Sequence, residues 1–188
     1  MDLDLSSMVD ERLVRFDFDA ATKDDAIQKI ASLFYEAGKV SDRDIYTQGV
    51  LERENEFATG IGMQVAIPHC KNSVVKEAAF SMIKLKRGID WDAFDGKPVT
   101  FIIMLAAPDD SDNAHLTMLS TLARNLMDDD FRNGLLESET IEDIKNLLSK
   151  KGAVSYTHLP QSTRPIPLNM QTAPTIRVLR ARLWPKSS

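Results

Sequence analysis

The run Thr59-Gly60-Ile61-Gly62-Met63-Gln64-Val65-Ala66-Ile67-Pro68-His69 ends on the side chain best suited to chemistry in this chain. A glycine-punctuated turn leads into Val65-Ala66-Ile67, a short apolar strand, and Pro68 stops the ladder by removing a donor and fixing φ. His69 is therefore expected at a strand end, thrown outward with a rigid neighbour behind it. Its imidazole, with an ordinary pKa of roughly 6.5, is neutral often enough at cellular pH to act as a nucleophile. Taken alone, a Pro-His pair more often marks a satisfied histidine at a strand end.

The other candidates have equally plain readings beside them. Arg53 falls near the C-terminal end of a helix, where the macrodipole or Glu52 and Glu54 suffice to explain it. His115 falls in the first turn of a helix, whose positive end disfavours its protonation and whose exposed N–H groups receive anions. Cys70 beside His69 raises zinc as an option, but none of the short ligand spacings of structural zinc sites is present. Asp109, Asp110 and Asp112 lack the spacing and closing Glu of a calcium loop, so a solvated loop and helix cap is expected there. Neither a metal nor a cofactor is expected. His158 is assigned no role.

The elements that must hold these residues follow from periodicity and caps. Leu13–Asp19 alternates as a strand. Thr22, with Asp25 three residues on, caps a helix to about Ala37, and Gly38 suits its stop. Ser41 or Asp42 caps a second helix that carries Ile45, Val50 and Leu51 and ends near Asn55. Strands are expected over Gln64–Ile67, Ala78–Leu85 and Pro98–Ala107, the last apolar on both faces as a central strand would be. Asp112 or Asn113 caps the helix of His115, and helices over Phe131–Glu137 and Ile141–Lys150 follow, the last opened by Thr140 and Asp143. This order predicts an α/β (α+β layered) domain with a mixed central sheet flanked by helices, the second and third of these strands antiparallel neighbours.

Several of these blocks together resemble the enzyme IIA domain of the phosphoenolpyruvate:sugar phosphotransferase system, in its fructose/mannitol class. The resemblance rests on Leu51-Glu52-Arg53-Glu54, on the glycine run ending in His69, and on Gly88-Ile89-Asp90-Trp91. It continues through Asp95-Gly96-Lys97-Pro98-Val99, the apolar run Phe101 to Ala107, and His115-Leu116-Thr117-Met118-Leu119 with Leu122-Ala123-Arg124. The blocks keep the family's order from about residue 5 to 150. Gln64 and Cys70 depart from it, standing where glycine or another small residue is common.

The resemblance implies a phosphoryl carrier in which His69, His115 and Arg53 form the site. His69 would accept the group from the phosphohistidine of HPr and pass it to a cysteine on enzyme IIB for sugar uptake, of fructose type. Arg53 would hold the phosphoryl oxygens, and His115 would bond His69 or the phosphoryl group. Ile61, Met63 and Val65 would form an apolar rim for docking around an open, shallow site. A regulatory relative of nitrogen type, in which phosphorylation of His69 gates a protein contact, is the alternative. A metal-dependent hydrolase lacks its ligand set.

Composition agrees with a carrier. The chain of 188 residues is 43% hydrophobic and 27% charged, in the soluble globular range. One cysteine excludes an intrachain disulfide and suits a reducing compartment. With no apolar run of spanning length and no secretory pattern at the N-terminus, the expected setting is cytoplasmic, without direct membrane insertion. Residues 1–152 hold 18 basic against 28 acidic residues, a net charge of −10, which argues against nucleic acid as a partner. Residues 153–188 carry five basic residues and no acid, and five of the eight prolines fall in 160–185. That stretch reads as a tail outside the core, either a linker or sequence of foreign origin, and the domain is expected to occupy 1–152.

Overall fold

A single helical turn at Glu11–Leu13 leads into strand β1 (Val14–Phe18), and two helices follow, α1 (Lys23–Glu36) and α2 (Arg43–Glu56). The computed structural model describes residues 4–110 and 114–152, and of 114–116 and 150–152 the backbone only. The tail, with His158, and the cap at Asp112 or Asn113 lie outside the described residues. Both early helices start where their caps predict. The Thr22 hydroxyl accepts the Asp25 N–H at 3.1 Å, and the Asp42 carboxylate accepts the Ile45 N–H at 2.9 Å. Helix α1 ends on Gly38, at φ +72°, with Lys39 N–H bonded to Phe34 O and Gly38 N–H to Tyr35 O. That left-handed residue is why glycine stops the helix.

The α2 stripe differs from expectation in one position. Tyr46, Val50 and Glu54 are buried, one turn apart along the helix, while Ile45 is 49% exposed. Spacing of four selects the Tyr46 face over its neighbour.

Seven short strands then run β2 (Gly60–Gly62), β3 (Val65–Ala66), β4 (His69–Asn72), β5 (Ala79–Phe80), β6 (Met82–Ile89), β7 (Val99–Ile102) and β8 (Leu105–Pro108). They form a five-stranded sheet ordered β1-β6-β7-β3-β2 and a three-stranded sheet ordered β4-β8-β5. The two longest strands expected from the sequence, Ala78–Leu85 and Pro98–Ala107, are thus each divided between two strands in different sheets. The division falls at one level: Ile67-Pro68, Ser81 and Ile103-Met104. Backbone bonds still cross it, from Ile103 N–H to Ala66 O, Leu105 N–H to Pro68 O and Ser81 N–H to Met104 O, while Met104 N–H turns to the Ser81 hydroxyl. Pro68 lies where the ladder stops, so its missing donor costs little. The antiparallel neighbours expected are present, β6 with β7 and β5 with β8, beside parallel pairs β1 with β6, β3 with β7 and β4 with β8.

The glycines expected to form the turn before His69 instead form β2. The two-residue turn itself is Met63-Gln64, both at left-handed φ, +56° and +68°. These angles match the twist of a tight hairpin, so β2 and β3 pair antiparallel across it.

Helices α3 (Ala114–Leu126), α4 (Asp129–Glu137) and α5 (Ile141–Gly152) complete the domain. Helices α1 and α2 pack one face of the strands through Ile27, Ile30, Phe34, Tyr46 and Val50 against Ala66, Cys70, Ile83, Ile102, Met104 and Ala106. Helix α3 packs against β8 and α4 against β7. The α/β layered architecture is as expected. Among the described residues no helix is long and apolar enough to cross a membrane.

Candidate functional site

His69 opens β4, and the two residues before it are pinned from opposite sides. Ile67 N–H donates to Thr59 O at 3.0 Å, and Leu105 N–H donates to Pro68 O at 3.0 Å. Leu105 is the register partner of His69, and its own carbonyl accepts the buried Tyr46 hydroxyl at 3.0 Å. Helix α2 is thereby tied to the strand pair at the level of the histidine.

The imidazole is held by a backbone carbonyl. Nδ1 of His69 lies 2.9 Å from Ile67 O. A carbonyl only accepts, so Nδ1 carries the proton and the lone pair of the neutral ring is on Nε2. That is the nucleophilic tautomer for reaction at Nε2. His69 is 5% exposed. The sequence-based picture of an imidazole thrown outward is corrected here, because His69 is itself the first residue of β4 and is buried.

Cys70 follows, and its thiol faces α2. A Cβ on Gly49 would come within 2.5 Å of Cys70 Sγ, so a glycine is what lets the helix lie on the strand. Burial pushes the Cys70 thiol up to about 11, so it is a protonated packing group at neutral pH.

Arg53 stands one turn beyond Gly49 in the last turn of α2, half-buried. Its Nη1 lies 3.5 Å from Phe57 O. Loss of hydration lowers its pKa from the ordinary value, against the opposing pull of Glu56 and Glu54. A guanidinium so shielded from water interacts more strongly with an anion than an exposed one. His115 is in the first turn of α3, and its side chain lies outside the described residues. The elements converge: β4 carries His69 and pairs with β8, α2 with Arg53 packs on β4, and α3 with His115 packs on β8.

Of the expected rim, Ile61 is 7% exposed and Val65 is fully buried. Strand pairing turns both inward, and Met63, at the hairpin turn, is the half-exposed member. Phe57 and Phe94, not singled out from the sequence, are 48% and 55% exposed.

Residues 7–151 match the family described as the phosphoenolpyruvate-dependent sugar phosphotransferase system, EIIA 2. The chain belongs to that family. The EIIA domain is 36% identical over 147 residues to the PTS system fructose-specific EIIA component of Haloferax volcanii, covering 78% of this chain and 96% of that one. It is 31% identical over 146 residues to the PTS system fructose-specific EIIABC component of Bacillus subtilis, covering 78% of this chain but 23% of that longer protein. Its fold is like the crystal structure of nitrogen regulatory protein IIA-Ntr from Neisseria meningitidis. The TM-score is 0.71 at 26% identity, with 77% of this chain and 98% of the other covered. Membership makes this domain a phosphoryl carrier of the phosphotransferase system.

One part of the EIIA domain was not read from the sequence. Glu54, 3% exposed, bonds both the N–H and the hydroxyl of Thr59 and lies 3.6 Å from Lys23 Nζ. A glutamate near a helix end ordinarily reads as solvated. The signal available was its place on the buried stripe, eight residues after Tyr46 and four after Val50.

Proposed function

We propose that His69 is the residue of this EIIA domain that carries the phosphoryl group. The observation that supports it most is the bond from Nδ1 to Ile67 O at 2.9 Å, which leaves the Nε2 lone pair as the attacking group. The Nε2–P bond forms as the donor's N–P bond breaks, and the Nδ1 proton stays on the ring. In the second transfer the Nε2–P bond breaks as a phosphorus–sulfur bond forms on the acceptor.

The donor in this reading is the phosphohistidine of HPr or an HPr-like carrier, and the acceptor is a cysteine of enzyme IIB. Arg53 neutralises the transferring oxygens, reaching around β4, which is an edge strand of its sheet. His115 contributes from the α3 N-terminus, where N–H groups and dipole favour an anion. The domain occupies 1–152, works in the cytoplasm and serves fructose-type uptake. The Haloferax relative, matched over nearly its whole length, supports the sugar assignment.

The test is incubation with enzyme I, HPr and labelled phosphoenolpyruvate. Acid-labile, base-stable label on His69, absent from His69→Ala, is expected; label on serine or aspartate, or label surviving that substitution, overturns the reading. A regulatory, nitrogen-type role has the IIA-Ntr likeness in its favour. Transfer of the label onward to a IIB cysteine separates the two.

A further inference from the structure

Glu54 is a buried carboxylate next to Arg53, and buried carboxylates persist only when bonded and paired. Its Oε1 accepts the Thr59 N–H at 2.8 Å and lies 3.6 Å from Lys23 Nζ, while Oε2 accepts the Thr59 hydroxyl. Thr59, 2% exposed, passes the constraint on, because its carbonyl takes the Ile67 N–H at 3.0 Å. The carbonyl of Ile67 in turn takes Nδ1–H of His69 at 2.9 Å. Lys23, Glu54, Thr59, Ile67 and His69 thus form an unbroken line of polar contacts from α1 to the imidazole.

Only φ and ψ of Ile67 separate the group that Thr59 fixes from the group that His69 uses. The following proline narrows those torsions to the extended region. A displacement at Thr59 therefore reaches the Ile67 carbonyl with little to absorb it. The same clamp fixes the segment between Glu54 and Thr59, and Phe57, whose carbonyl faces Arg53 Nη1, lies within it.

We propose that Glu54 and Thr59 are positioning residues for His69: their contact holds the Ile67 carbonyl against Nδ1 and keeps the proton off Nε2. The inference rests on His69 as the phosphoryl carrier, since a locked tautomer matters only to a ring that reacts through Nε2. Without a fixed acceptor the ring redistributes its proton between the two nitrogens, and the fraction competent to attack falls.

The tautomer of His69 is read by nitrogen–proton NMR on the full chain, wild type and Thr59→Val, Thr59→Ser and Glu54→Gln. The wild type and Thr59→Ser should hold the Nδ1–H form. Thr59→Val keeps the branched shape without the hydroxyl, and should shift the ratio toward Nε2–H by about 5-fold, the order of one hydrogen bond. Glu54→Gln should shift it in the same direction. Transfer from phospho-HPr should slow in Thr59→Val only as far as the Nδ1–H fraction falls, and recover in Thr59→Ser.

A folded Thr59→Val or Glu54→Gln protein with the wild-type ratio overturns the proposal. So does an Nε2–H tautomer in the wild type, a measurement that needs neither variant to fold. The tautomer is read without any phosphoryl transfer, so failure of this coupling is distinct from label appearing on another residue, which would overturn the carrier reading instead.

Discussion

A Cβ on Gly49 would lie 2.5 Å from Sγ of Cys70, so the approach of helix α2 to strand β4 is set by a residue without a side chain. The separation matters because the next turn of the same helix carries Arg53. Alanine for glycine inside a helix ordinarily stabilises by about 0.5–1 kcal/mol. Here overpacking reverses the sign, and Gly49→Ala should destabilise by about 1–3 kcal/mol. Adding Cys70→Ala should recover much of the loss, and a denaturation double-mutant cycle checks it. Additive effects would show that the two residues do not meet.

Arg53 and Cys70 should rank far apart in function. Removing a charged donor aimed at a transferring group costs about 2.7–4 kcal/mol, so Arg53→Ala should slow phosphorylation about 10²–10³-fold. Cys70→Ser should leave the rate nearly unchanged, because a thiol raised to about 11 supplies neither nucleophile nor metal ligand at neutral pH. Rates of label uptake from phospho-HPr decide the ranking, and the reverse order would bring a thiol role back.

Acid should remove one identifiable contribution to stability. Hydrogen bonds from Arg12 hold the Asp10 carboxyl at about 2, below its ordinary 3.8, with Lys39 at 3.5 Å adding to the effect. A folded-state pKa below the unfolded one means that the contribution is complete above about pH 4. It is lost as pH falls toward 2. Denaturant midpoints between pH 5 and 2 should fall less steeply in Asp10→Asn than in the wild type.

Gln64 sits at φ +68° in the hairpin turn, where a residue with a Cβ is strained. Gln64→Gly relieves the strain and forfeits the bond between the Thr100 hydroxyl and Gln64 Oε1 at 3.1 Å. The net change should be a stabilisation of about 0.5–1 kcal/mol, read as a raised Tm. A lowered Tm would mean that the side-chain bond outweighs the backbone.

A chain ending at Gly152 should fold and take up label at the full-length rate. The family match closes at residue 151, which motivates the expectation. Circular dichroism melts and label uptake compare the two lengths, and a truncated chain that fails to fold would make the tail part of the domain.

Helices were legible where caps and stripes agreed. Thr22 with Asp25 and Thr140 with Asp143 opened helices where their spacing places them. The divided sheet was not legible, because Phe101 to Ala107 is buried throughout and an unbroken apolar run carries no mark of where one sheet ends. Ser81 carried the mark, its hydroxyl standing in for a ladder acceptor, but a serine inside an apolar segment has many readings. The place of His69 beside a strand end was legible from its neighbours in sequence. Its burial and the Glu54–Thr59 clamp were not, because both depend on how the hairpin folds back onto α2, and periodicity says nothing about that.

The division between the two sheets has a consequence for the chemistry. In a continuous ladder a carbonyl such as that of Ile67 is consumed by the adjoining strand. At Ile67-Pro68 the weave is interrupted, and an acceptor that the sheet would have used is handed to an imidazole. The imidazole of His69 thus occupies a fault line in the fabric of the protein. A fault is hard to move: three strands break at the same level, and shifting one would leave the other two out of step. The place of the histidine is fixed by where the weave fails as much as by the strand that bears it.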